Sequence, residues 1–210
     1  MNPISFLTQM IRIAVPYLFA ASGGVIAERA GIISLSLEGY MLSGAFSATL
    51  GTYYSGSAWI GLLCGMFGGL VFGLIHAVAT IRYRADQVVA GIAINLLAIG
   101  VTRFFLKLAF ASSSNSPRVA GFGGNIAAHG FDNPLLWLGI AVAPALAFLV
   151  YRTPYGLRVR AVGEHPAAAA SLGIKAKLVQ YVAVGLSGML AGLGGVFLAL
   201  DQHQFTDQMT

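Results

Sequence analysis

Hydrophobic positions along the chain fall in long runs separated by short polar or glycine-rich connections. The runs cover Phe6–Ala27, Leu37–Tyr54, Trp59–Ile81, Val88–Phe110, Leu135–Tyr151 and Leu178–Leu200. A helix needs about 20 mostly apolar residues to cross the hydrocarbon core of a bilayer, and each run is near that length. The pattern predicts an all-α fold: a polytopic transmembrane helical bundle of about six membrane segments, with residues 1–210 forming one transmembrane domain. The stretch GEHPAAAASLGIKAK, Gly163–Lys177, breaks the pattern, being polar and alanine-dense between two apolar runs. Pro166 can open a helix because the first turn does not need its missing N–H. Ala167–Leu172 are good helix formers, and Gly173 is suited to stop them. The product is a helix of about two turns, too short to cross a membrane. Its small side chains form a smooth knob suited to a groove in another protein. A helix lying on the bilayer would need an apolar face, which four successive alanines do not supply.

Composition sharpens the membrane reading. Hydrophobic residues make up 57% of the 210 and charged residues 9%, against about 25% charged in soluble domains. That is too little charge to coat a soluble globule, so the bilayer is the fitting solvent. The net charge of +5 would suit a nucleic-acid binder, but its distribution argues otherwise. Between Tyr151 and Lys177, five basic residues (Arg152, Arg158, Arg160, Lys175, Lys177) against Glu164 give +4. Basic residues mark cytoplasmic loops. This places the 152–177 loop and Arg82–Asp86 inside, and places the turn GTYYSGSAW, the Ser112–Asn133 connection and the tail DQHQFTDQ outside. Simple alternation leaves the N-terminus outside, unless GIISLSLEG dips into the membrane rather than crossing to a loop. Cys64 is the lone cysteine and can form no internal disulfide. The N-terminal stretch lacks a basic region before its apolar run, so it reads as the first membrane segment rather than a cleaved signal.

Three stretches carry candidate chemistry. In ERAGIISLSLEGYMLSGAF, Glu38 sits in an apolar run, where a carboxylate costs about 2.5–3.5 kcal/mol at a helix centre and needs a partner, a cavity or an aqueous end. Gly31, Gly39 and Gly44, with Ser34 and Ser36, suggest an interrupted helix whose free backbone groups meet polar ligand atoms. The plainer alternative has Glu38 capping the second helix near Arg29. In the fourth segment Asn95 is a lone amide, able to bind a polar substrate or to make an interhelical hydrogen bond. Arg103 and Lys107, one turn apart, face a pathway mouth or snorkel to headgroups. The GxxxG pairs Gly61/Gly65, Gly69/Gly73 and Gly188/Gly192 read as packing surfaces. The 163–177 helix is the third stretch.

GIISLSLEGYMLSGAF, ATIRYRADQVVAGIAINLLAIG and TPYGLRVRAVGEHPAAAASLGIK, taken in order, resemble the permease subunits of bacterial ABC importers. The branch is the simple-sugar and nucleoside one, with the nucleoside permeases nearer, and the likeness runs from about Ala14 to Gly195. The resemblance implies an inner-membrane subunit that pairs with a second permease, cytoplasmic ATP-binding subunits and a substrate-binding lipoprotein or periplasmic protein. ATP and Mg²⁺ would be used by the partner ATPase, with no cofactor bound by this chain. It implies that the 152–177 loop holds a coupling helix docking on the ATPase through Gly163, Glu164, His165, Pro166, Ala168, Ala169 and Gly173. The family often has Asn where His165 stands, and Ser34, Leu35 and Ser36 replace an Asn-Ile-Gly common before Leu-Glu-Gly. Related permeases continue through several more helices, so the resemblance also implies an incomplete version of a longer domain.

The chain has no GxxxxGK[ST] phosphate loop, so an energy source must come from a partner or an ion gradient. An ion-gradient-driven secondary transporter of a small polar solute is the alternative. It would call on intramembrane Glu38 and His76. An enzyme reading finds no HExxH and no Ser or Cys beside a recognisable base, so no catalytic residue is assigned. Asp201, His203 and Asp207 could be drawn together around a metal, but a solvated tail explains them without one, and no metal ligand is assigned.

Overall fold

The structure is a computed structural model describing residues 3–110, 115–122 and 133–206. The chain folds into α1 (Pro3–Arg29), α2 (Leu37–Ser55), α3 (Ala58–Ala77) running into a π-helical turn (Val78–Arg82), α4 (Gln87–Phe110), α5 (Pro134–Arg152), α6 (Pro154–Glu164), α7 (Pro166–Ser171) and α8 (Ala176–Asp201). Only Gly56 and Ser57 separate α2 from α3, so the two helices turn back on one another. Gly56 makes this possible by taking the left-handed conformation at φ 68° and donating its N–H to Thr52 O at 2.8 Å.

Among the described residues, five helical stretches are long and apolar enough to cross a membrane: Gln9–Arg29, Ala58–Arg82, Gln87–Phe110, Pro134–Arg152 and Ala176–Asp201. The sixth expected segment, Leu37–Tyr54, is helical as α2 but less apolar, and its position explains why. It lies between α3, α8 and α4, with Gly39, Ser43, Gly44, Ala45, Ala48 and Thr49 all buried. A helix walled off by its neighbours needs close packing rather than lipid solubility, which small residues supply. The glycine pairs do this work: Gly69 and Gly73 of α3 face Gly188 and Gly192 of α8, and Gly192 also meets Gly44 of α2. A Cβ on Gly192 would stand 2.9 Å from Gly65 O, backbone against backbone. α1 completes the bundle against α8, and α5 packs on α1.

The two ends differ in charge. At one, Arg29 and Arg160 gather at the end of α5, and Arg84, Lys175 and Lys177 share a cleft. At the other, Arg12 Nη2 donates to Asp201 Oδ1 at 2.5 Å, an ion pair that offsets an Arg within a membrane-length helix. The tail expected to be solvated is folded against this end. Ser116 N donates to Phe205 O at 3.0 Å, Val119 N to His203 O at 2.9 Å, and Phe205 N to Ser116 Oγ at 2.9 Å. Phe205 is fully buried, edge-on to Phe46 with ring centroids 5.6 Å apart. Burying such a ring contributes about 1.5–3 kcal/mol, enough to hold down a segment that otherwise reads as polar. Asp207 and most of the Ser112–Asn133 connection lie outside the described residues.

Candidate functional site

Residues 30–36, which break the helix between α1 and α2, are tethered by side chains of α3, α4 and α8. Gly31 ends α1 with φ +83°, a conformation glycine adopts without a Cβ penalty. From there the chain alternates, with Gly31, Ile33 and Leu35 exposed and Ile32, Ser34 and Ser36 buried. Backbone groups outside a helix and away from water need partners, and α4 provides them. Ile33 N donates to Gln87 Oε1 at 2.8 Å, and Gln87 Nε2 donates to Gly31 O at 3.4 Å. Two turns further along α4, Asn95 Nδ2 donates to Leu35 O at 3.0 Å, and Gly39 N donates to Asn95 Oδ1 at 2.9 Å. Between the two amides, Gly91 leaves room for Leu35, whose Cβ would be 2.9 Å from a Cβ at residue 91. Gln87, Gly91 and Asn95 are spaced by four, so they lie on one face of α4.

This contact line sets the depth of α2. Eight residues of α4 separate Gln87 from Asn95, about 12 Å of rise. The segment therefore runs inward along α4, and α2 starts well inside the level of the Arg82–Asp86 loop. GIISLSLEG thus runs alongside the first two turns of α4.

The start of α2 is capped from outside its own sequence. Ser36 is the N-cap residue yet makes no side-chain cap; its Oγ meets Nδ1 of His76, and the Tyr40 hydroxyl reaches the same nitrogen at 2.6 Å. All three residues are fully buried. Asn95 takes over the cap by accepting from Gly39 N, one of the orphan N–H groups of a helix start. His76 Nε2 and Ser34 Oγ are buried without a hydrogen-bond partner among the described residues. Glu38 is exposed in the first turn of α2, where the positive end of the helix dipole favours a carboxylate. Ser34 and Ser36, expected with it on a pathway, are buried.

The basic loop of residues 152–177 holds two helices rather than one. Thr153 caps α6, its Oγ1 accepting from Gly156 N at 3.1 Å, with Pro154 next in line. Tyr155, in the first turn of α6 and packed against the cluster of Ile26, Ala30 and Ala183, has its hydroxyl pushed above the ordinary range by burial. α7 is the predicted short helix, from Pro166 to Ser171, followed by Gly173 at φ +81°. His165 has a definite role there: Nδ1 accepts from Ala168 N at 3.2 Å, the capping bond an Asn would make. Among the expected docking residues, Glu164, His165, Pro166, Ala168 and Gly173 are exposed and Gly163 is half-buried. Ala169 is turned inward and only 3% exposed. Leu172, which sequence reasoning passed over, is 81% exposed at the end of the helix.

Gly163 joins this loop to the tethered segment. A Cβ at 163 would stand 3.2 Å from Gly31 N and closer still to Arg29 O; a Cβ at 31 would stand 3.3 Å from Gly163 Cα. Nearby, the guanidinium groups of Arg29 and Arg160 lie 5.8 and 5.4 Å from the centroid of the Tyr151 ring, and Arg29 Nη2 donates to Tyr151 Oη at 3.1 Å. On its other flank α7 borders a cleft of about 620 Å³, with Pro166, Ala167 and Ala170 on one wall and Ile32, Thr80 and Arg84 on the other.

Sequence reasoning picked out Asn95 and Glu38 but not Gln87, Tyr40 or the Ser36–His76 pairing. A His in the last turn of an otherwise apolar helix was the available signal. Among the described residues no group of three or more His, Cys, Asp or Glu is placed to hold a metal ion.

Over residues 6–209 the chain is similar to the permease component of branched-chain amino acid transport systems. It is 39% identical over 208 residues to the guanosine ABC transporter permease protein NupQ of Bacillus subtilis, covering 87% of this chain and 63% of that protein. It is 36% identical over 210 residues to the nucleoside ABC transporter permease protein NupC of Lactococcus lactis, covering 92% of this chain and 66% of that protein. The L-arabinose ABC transporter permease protein AraH of Azospirillum brasilense is 28% identical over 170 residues, covering 80% and 49% respectively. The chain thus spans just under two-thirds of the length of the first two curated relatives. No solved structure matches it.

Proposed function

Because the chain belongs to the permease components of the branched-chain amino acid transport system family, we propose that it is a membrane subunit of an ATP-driven ABC importer for a nucleoside or simple sugar. In this reading it forms part of the translocation pathway in a bacterial inner membrane and pairs with a second permease. A substrate-binding lipoprotein or periplasmic protein delivers the solute, and separate cytoplasmic subunits consume ATP with Mg²⁺. The names of the similar permeases, guanosine, nucleoside and L-arabinose, support the solute class.

The observation that carries the reading is α7. It is a short helix capped by His165, ended by Gly173 and projecting small or exposed residues at the basic end. A helix of six residues, with a groove-sized alanine surface and Leu172 at its tip, suits docking into another protein. In the docked complex Glu164, His165, Pro166, Ala168 and Leu172 meet the ATPase, with Ala169 supporting the helix from beneath. ATP-driven closure of the ATPases moves this helix, and the membrane helices shift between outward and inward access. Glu38 sits at the inner start of α2, at a depth where lipid would be a poor neighbour for a carboxylate, which supports a pathway-facing role. Asn95 acts there by holding the backbone that presents Glu38.

The test is reconstitution in vesicles with two ATPase subunits, a second permease and the binding protein, following labelled guanosine. Uptake driven by ATP without an ion gradient is expected. Uptake that follows a proton or sodium gradient and ignores ATP would replace this reading with a secondary transporter.

A further inference from the structure

We propose that residues 30–36 carry the movement of the short cytoplasmic helix into the membrane bundle, and that Gly31 and Gly163 are positioning residues whose backbone contact is the joint. The proposal rests on the ATPase-docking reading of α7. Three observations point to it.

The first is the contact itself. At Gly31 and Gly163 two backbones meet with no side chain between them, a Cβ at either position standing 3.3 Å or less from the other's main chain. A displacement of the α6 end therefore has no flexible side chain to absorb it.

The second is how α7 is braced. It packs on α6 and α8, while the cleft of about 620 Å³ separates Pro166, Ala167 and Ala170 from Ile32, Thr80 and Arg84. On that flank α7 has room to move, so a load applied there passes through the His165 bend into α6 and reaches Gly163 two residues away.

The third is what the segment holds beyond the joint. Gln180 of α8 donates to Ala30 O at 3.3 Å, Gln87 grips residues 31 and 33, Ser36 meets His76 of α3, and Asn95 holds residues 35 and 39. One segment is thereby tied to α3, α4 and α8 and leads directly into α2 at the centre of the bundle.

The test uses the reconstituted importer, scoring ATPase co-purification, ATP hydrolysis and uptake per ATP hydrolysed. Gly163→Ala inserts one methyl into the joint, and Gln87→Met releases the segment from α4 without adding bulk at the joint. Both are expected to keep the ATPase bound and hydrolysing while uptake per ATP falls about tenfold, within the usual range of coupling between sites. Leu172→Asp is the control for docking and is expected to lose the ATPase itself. If Leu172→Asp, Ala168→Glu and the unaltered chain all behave alike in ATPase capture, the docking reading fails. If docking holds but both test variants keep normal uptake per ATP, the joint is refuted while docking stands. A parallel fall in binding, hydrolysis and uptake, with their ratio unchanged, would mark a structural role and also overturn it. Should Gly163→Ala fail to fold, Gln87→Met decides.

Discussion

Asn95 caps a helix to which it does not belong: its Oδ1 accepts the N–H of Gly39 at 2.9 Å from across the α2–α4 interface. Ser36, the residue placed to make that bond, spends its hydroxyl on His76. The amide is therefore a structural support for residues 35–39.

Asn95→Leu removes the cap and strands Leu35 O, a loss of about 1–3 kcal/mol for a polar group left unpaired away from water. Thermal unfolding in detergent is expected to show that loss with membrane insertion unchanged. Asn95→Asp keeps an acceptor for Gly39 but loses the donor to Leu35, so it should fall between the two. Equal stability of all three proteins would remove Asn95 from the support of α2.

His76 and Ser36 are expected to be energetically coupled. His76→Leu leaves two buried hydroxyls without their shared partner, and Ser36→Ala removes one of them. A double-mutant cycle on unfolding should return an interaction of about 0.5–3 kcal/mol, the range for residues in one hydrogen-bond network. Additive losses would indicate two separate contacts.

Glycines in the same bundle should respond oppositely to one methyl group. A Cβ on Gly192 meets Gly65 O at 2.9 Å, whereas one on Gly100 meets nothing within 4 Å. Gly192→Ala is expected to destabilise by about 1–3 kcal/mol through overpacking. Gly100→Ala should stabilise by up to about 1 kcal/mol through helix propensity. Matched melts of the two variants check the sign directly.

In the 152–177 loop, His165→Asn should be close to neutral because Asn makes the same cap. His165→Ala should cost about 1 kcal/mol of local stability and reduce protection of Ala168 N in hydrogen exchange. Ala168→Glu, on the exposed side of α7, is expected to abolish ATP-dependent uptake while leaving insertion intact. Ala169→Glu should instead lower stability, since that side chain is buried.

Much of this architecture was legible in the chain because it is written locally. Runs of apolar residues give away membrane-length helices, and Pro166 with Gly173 frames α7 without reference to anything distant. What escaped depends on contacts between remote positions. Ile33 and Gln87 are 54 residues apart, and no local pattern announces that an amide opening α4 will hold the α1–α2 segment. α2 reads as a lipid-exposed span until its neighbours enclose it, and Phe205 reads as part of a polar tail until Phe46 receives it. α6 was missed for a different reason, since its start depends on the Thr153 cap and Pro154 within a stretch dominated by basic residues. The inward face of Ala169 and the outward Leu172 follow from the rotation of α7, which sequence spacing leaves open.

The face of α4 formed by Gln87, Gly91 and Asn95 has an evolutionary consequence. Each of the three answers a particular backbone or side-chain feature between Gly31 and Gly39, so an exchange at one strands its counterpart. Inheritance should treat the two stretches as one unit, with changes in one appearing together with compensating changes in the other, although 50 or more residues separate them along the chain.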